Sequence, residues 1–253
     1  MDLTDFDELK MYFAEDYKIN DKIILHQPTI GEIVAFGERK YFNAIYTLCS
    51  IPSDMKSYLL DVCHIDYMEI DDFEYFILIS RSFTKNDTGL FLGDLDLSSF
   101  VPLLDKTNNE PVLYDEQNDI TIDRLIYLRI VSYLRKLHGI KPKIERAANQ
   151  TTYDILIRLD RERIEKQKNT PYRSCLKEYI SAMMRYPGFK YKTKELKECG
   201  YYEFMDTVIG SQIYVSSTAL LKGAYSGMID TSKINKKEFN WMRSQSDNSQ
   251  AFS

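Results

Sequence analysis

HQPTIGEIVAFGERKYFNAIYTLCSIPSDMKSYLLD, residues 26–61, reads as a strand end, a sharp corner and two successive helices. Pro28 stops the strand, because proline has no N–H for a sheet ladder. Thr29-Ile-Gly-Glu32 then forms a capping box: the Thr29 side chain caps the first turn and Glu32 reaches back. Tyr41, Phe42, Ile45, Tyr46 and Cys49 recur at helical spacing and predict one apolar stripe. Pro52, after Ser50-Ile51, sits where the first turn of the next helix tolerates proline. Just upstream, YKINDKIILHQ (17–27) predicts a strand or hairpin that turns at Asn20-Asp21.

Farther out the same signals continue. IDDFEYFILISRSF (70–83) predicts a helix with acids at its start and Arg81 near its end, matching the helix dipole. It is apolar almost all round, so it belongs in the middle of the core. Residues 93–122 carry short β-type runs separated by polar turns, which predicts a small meander over 100–122. IDRLIYLRIVSYLRKLH (122–138) is a helix whose broad face is Ile122, Leu125, Ile126, Ile130, Tyr133, Leu134 and Leu137. Gly139 ends it and Pro142 lies just beyond. Residues 147–167 read as a charged helix with Ile155, Leu159 and Ile164 on one face, and Lys166–Pro171 as a linker. Residues 173–185 are amphipathic. Residues 201–222 form a long helix ended by Gly223, and Thr231 or Ser232 caps a last short helix.

The chain has 253 residues and a net charge of −5, with 44% apolar and 28% charged residues. That suits a soluble globular protein and disfavours a general nucleic-acid binder. Cys49, Cys63, Cys175 and Cys199 are widely spaced, which predicts reduced thiols. The N-terminus is acidic and carries no secretory pattern, and no stretch is apolar enough to cross a membrane. The expected fold class is mainly α with a minor antiparallel β element, an α+β architecture. The expected organisation is an acidic arm (1–16), a main helical domain (17–170), a C-terminal helical subdomain (171–243) and a disordered tail (244–253).

No constellation of catalytic, cofactor-binding or metal-ligating residues emerges. Cys63, His64 and Asp66 are sequence neighbours without the spacing of a zinc site, and read as the end of a helix. Asp94, Asp96, Ser98 and Asp105 mimic part of a calcium loop, but Ser99 stands where the turn needs glycine. Residues 141–173 hold nine Lys or Arg against five acids. Arg158, Arg161 and Arg163 are the candidates there for phosphate contact, and a solvated helix face is the competing reading. Phe239, Trp241 and Met242 either close the core or anchor a partner, since Trp and Met are enriched at interfaces.

Four segments together resemble tail assembly chaperone-like proteins of long-tailed phages and prophages of Gram-positive bacteria. They are IILHQPTIGEI (23–33), YTLCSIPSDMK (46–56), LGDLDL (92–97) and GMIDTSKINKKEFNWMR (227–243). The resemblance runs from about residue 17 to 243. It implies a non-enzymatic factor, without cofactor, that holds the helical tape-measure protein soluble and helps recruit tail-tube subunits in the host cytoplasm. It also implies self-association in multiple copies. It assigns no catalytic residue. A structural tail or connector component of the virion is the alternative, and a nucleic-acid-binding regulator using 141–173 a further one.

Overall fold

The computed structural model describes residues 6–106 and 109–243. The expected tail 244–253 lies outside the described residues, as do positions 1–5 of the acidic arm. The fold is mainly helical with two small antiparallel sheets, as the sequence predicts.

The N-terminal elements are α1 (Glu8–Tyr12), β1 (Tyr17–Lys18), β2 (Ile24–Leu25), α2 (Ile30–Phe36) and α3 (Glu38–Leu48). Asp7 caps α1. Phe6 and Met11 are buried in the main core, so the described part of the acidic arm is docked. The β1–β2 hairpin turns where predicted, and the Asn20 side chain accepts from the Lys22 and Ile23 amides. The Thr29–Glu32 capping box is present in full. The single helix expected beyond it is broken at Gly37, whose φ of 104° suits glycine and separates α2 from α3. Tyr41, Phe42, Ile45 and Cys49 of the predicted stripe are buried, but Tyr46 is exposed.

After Pro52 comes not one helix but a 3-10 turn (Pro52–Asp54), the short α4 (Lys56–Tyr58) and a π-turn (Leu59–Cys63). Next are α5 (Asp72–Ser80), with a capping box between Asp71 and Glu74, and α6 (Lys85–Leu92). Strands β3 (Val101–Leu104), β4 (Pro111–Asp115) and β5 (Ile120–Ile122) form the expected meander, ordered β3-β4-β5. The Asp105 N–H donates to Glu110 O, so alternation leaves Pro102 facing the open edge of β3. Pro102 offers no N–H there and blunts that edge against another strand.

Asp123 caps α7 (Arg124–His138), and Gly139 ends it in the left-handed conformation. Its buried face is Tyr127, Ile130, Val131, Tyr133, Leu134 and Leu137, whereas Leu125 is exposed. Then follow α8 (Gln150–Asn169), α9 (Cys175–Arg185), α10 (Thr193–Glu198) and α11 (Tyr201–Tyr225). Helix α8 runs through most of the expected linker. Its predicted face is also corrected: Ile155 and Leu159 are exposed, while Ile157 and Asp160 are buried. The reason is a polar seat. The Asp160 carboxylate accepts from the Ser57 N–H (2.9 Å) and hydroxyl (2.7 Å) at the start of α4.

The main core draws on both halves of the chain. Leu176, Met183, Leu196, Tyr201 and Phe204 join Ile33, Tyr41, Phe73, Phe91 and Leu134 in one cluster. Each such burial contributes about 2 kcal/mol. A smaller cluster of Leu59, Tyr67, Tyr75, Ile79 and Ile157 lies under α8. The corner at Thr29 ties the halves together. The Ile30 N–H donates to Cys199 O (3.0 Å) and the Tyr201 N–H to Pro28 O (3.1 Å). Gly31 permits this approach, since a Cβ there would lie 2.8 Å from Lys197 O.

Candidate partner-binding surface

Helix α11 has two unlike halves. Tyr201, Phe204 and Val208 anchor its first half in the main core, and α1 packs beside it. Beyond Val208, the buried residues are Ile213 and Ser217. There the chain folds back on itself. The predicted stop at Gly223 is not used: the helix continues to Tyr225 and turns at Ser226-Gly227. Gly223 is instead a contact point, because a Cβ there would lie 3.2 Å from Ile229. In place of one helix capped at Thr231 or Ser232, Asp230 and Asn235 cap two 3-10 turns, Thr231–Lys233 and Lys236–Phe239.

A polar clip fastens this return segment. The Ser217 hydroxyl donates to Glu238 O (2.7 Å), and Arg243 Nη1 donates to both Ser217 Oγ and Glu238 O (2.7 Å each). Arg243 also pairs with the Glu238 carboxylate at 3.0 Å. The three predicted anchors divide. Phe239 is half-buried. Trp241 is 51% exposed and meets Tyr214 edge to face, with centroids 5.9 Å apart. Met242 is 71% exposed. Val215 and Tyr214 of α11 are half-exposed as well. The sequence reading missed them, because a helix that reads as continuously apolar hides which half leaves the core.

The three arginines of the nucleic-acid reading are turned toward carboxylates. Arg161 makes two bonds to Asp61 (2.9 and 2.6 Å). Arg163 binds Asp160 at 2.6 Å and the Asp54 carbonyl, and Arg158 lies 3.8 Å from Glu162. Burial raises the Asp160 carboxyl, but the Ser57 N–H and Arg163 outweigh it, and the net shift is downward.

The other candidate groups have structural roles. His64 closes the π-turn in the left-handed conformation. Asp94 pairs with Lys85, and Asp96 caps a 3-10 turn at Leu97–Ser99. No group of three His, Cys, Asp or Glu that could hold a metal occurs among the described residues. The four cysteines are free thiols.

A cleft of about 380 Å³ lies where Tyr67, Asp71, Asp72, Arg124, Tyr127 and Glu145 converge. Asp71 there caps α5 through the Phe73 and Glu74 amides and binds Arg124 at 2.8 Å. Burial raises the neighbouring Asp72 carboxyl. No helix among the described residues is long and apolar enough to cross a membrane.

A scan against protein-family models found no match, and searches of curated proteins and of solved structures found none either.

Proposed function

We propose that this chain is a non-enzymatic phage tail assembly chaperone. In this reading it binds and solubilises the tape-measure protein in the host cytoplasm and helps recruit tail-tube subunits. The resemblance of the four sequence segments supplies the class. The observation that carries it is the exposed aromatic pair Tyr214 and Trp241, which meet edge to face outside the core between α11 and its return segment, with their neighbours Val215 and Met242 exposed as well. A helical client docks by laying an apolar stripe against such a surface. The clip through Ser217, Glu238 and Arg243 holds the aromatic group in place before the client arrives, which lowers the ordering cost of binding.

Co-expression with the tape-measure protein of the same gene cluster tests this. The expected result is a soluble client that co-purifies with this chain. A client that aggregates regardless, with this chain retained in purified tails, overturns the reading in favour of a structural virion component.

A further inference from the structure

The cleft beside Asp71 and Arg124 holds charges that the fold does not use. Its lining carboxylates are Asp71, Asp72 and Glu145, and its lining cations are Arg124 and Arg146. Asp71 pairs with Arg124 at 2.8 Å, and Glu145 pairs with Lys56 at 2.8 Å and Lys143 at 3.0 Å. That leaves Asp72 and Arg146, whose side chains have no hydrogen bond or ion pair among the described residues. Burial raises the Asp72 carboxyl, and Arg135 draws it part of the way back. Arg135 forms no ion pair with it, and its Nε is bound to Cys49 O at 3.0 Å.

Tyr127 is a further unpaired group. It is 2% exposed, with its ring against Phe73 and Phe76 at centroid distances of 5.2 and 4.8 Å. Yet it lines the cleft, and its hydroxyl has no hydrogen-bond partner among the described residues. Burial and then the Asp72 charge push that hydroxyl up, so the two groups lie within electrostatic reach of each other. A buried polar group left without a partner is costly, and a bound molecule is one way to supply the bond. Met68, Leu128 and Ile144 add an exposed apolar lining. The wall that carries Ile144 and Arg146 is already fixed, because the Glu145 N–H donates to Ser53 Oγ at 3.1 Å. The volume of about 380 Å³ falls at the small end of ligand sites, about 300–1,000 Å³.

We infer that this cleft binds a free amino acid with an apolar side chain, its ammonium donating to the Asp72 carboxylate and the Tyr127 hydroxyl and its carboxylate meeting Arg146. The apolar side chain covers Met68, Leu128 and Ile144. A simple cation leaves Arg146 unmatched, and a simple anion meets the charge of Asp72. A ligand with both charges answers both groups. This goes beyond the proposed client binding, because it uses none of Tyr214, Val215, Trp241 and Met242.

Titration calorimetry of the full chain with leucine, methionine and phenylalanine tests it. Isoamylamine, which is leucine without its carboxylate, and isocaproate, which is leucine without its amine, are the comparators. Saturable one-to-one binding of at least one amino acid is expected, about tenfold or more tighter than either comparator. Asp72→Asn and Tyr127→Phe should each weaken it about tenfold or more, since each removes a bond to the ammonium. Arg146→Gln should weaken it about threefold, because an exposed charge is screened. Arg146 is exposed and unpaired, so that variant keeps the fold, and thermal melts check the other two.

Absence of saturable binding at millimolar amino acid overturns the inference. So does a comparator that binds as tightly as leucine, or binding that is unchanged in any of the three variants. Failure of client binding leaves these outcomes unaffected.

Discussion

The Glu38 carboxylate accepts a hydrogen bond from the Leu176 amide at 2.9 Å, across 138 residues of chain. The same carboxylate receives the Ser174 hydroxyl and, at 3.3 Å, the Cys175 thiol. Glu38 opens α3 and Leu176 lies in the first turn of α9, so one side chain serves the N-termini of two helices. A negative charge is favourable at each.

Glu38→Ala leaves the α9 amides without that acceptor and is expected to cost about 1–3 kcal/mol by urea unfolding. Burial raises the Glu38 carboxyl, but the Ser174 and Leu176 bonds outweigh it, and the net shift is downward. A lowered carboxyl stabilises above its unfolded value of 4.5, and that contribution is lost as pH falls through the folded value. The acid side of the stability profile should therefore flatten in Glu38→Ala.

His138 gives a second pH signature. Its Nδ1–H donates to Leu134 O, and its Nε2 accepts from the Tyr41 hydroxyl at 2.8 Å. Burial pushes it down to about 4 from 6.5. The unfolded chain therefore binds a proton between those values while the folded chain does not, and stability falls as pH drops through that window. The loss reaches at most about 3 kcal/mol. Denaturation midpoints at pH 7 and pH 5 should differ in the wild type and converge in His138→Phe.

Asp160→Ala removes the acceptor for the Ser57 amide and hydroxyl beneath α8. A cost of about 2–3 kcal/mol is expected in thermal unfolding, because both donors lie buried. Asp160→Asn keeps an oxygen for the amide and should cost less. A null effect for Asp160→Ala means that α8 does not depend on this seat.

Gly31→Ala brings a Cβ against the Lys197 carbonyl, a backbone atom that cannot swing aside. Overpacking of this kind costs about 1–3 kcal/mol. The loss should appear in amide hydrogen exchange as faster opening of the Ile30 and Tyr201 amides.

Trp241→Ala should leave stability within about 1 kcal/mol, since half the indole is in water. Under the chaperone reading the same variant should lose most of its client in co-purification. Retention of the client at wild-type yield removes Trp241 from the contact.

Local chemistry made much of the fold legible. The Thr29–Glu32 box, the stop at Gly139 and the 17–27 hairpin depend on neighbours in sequence, and each stands where its residues indicate. The failures share another cause. Apolar identity points Leu125, Ile155 and Leu159 inward, but Tyr127, Ile157 and Asp160 take those seats. Their partners are distant in sequence: Ser57 lies 103 residues from Asp160, and Tyr127 packs on Phe73 and Phe76 of α5. Periodicity reports that a helix has an apolar face, not which rotation the rest of the chain rewards. Gly223 misled for a similar reason, since its contact with Ile229 requires the return segment. Trp241 and Met242 were singled out by residue type, while their exposure beside Tyr214 needed the fold.

Helix α11 is a lever of about 37 Å, from its twenty-five residues at 1.5 Å each. Its base is the Thr29 corner, where two backbone hydrogen bonds join residues 28–30 to 199–201. A pull on the return segment passes first through the clip at Arg243 and then along a stiff rod to that corner. Phe204 and Val208 hold the first half of that rod in the core, so a load at the far end is taken up by the core as well as by the corner that begins α2. Strengthening the clip would stiffen this transmission, and loosening it would let the return segment yield before the core is strained.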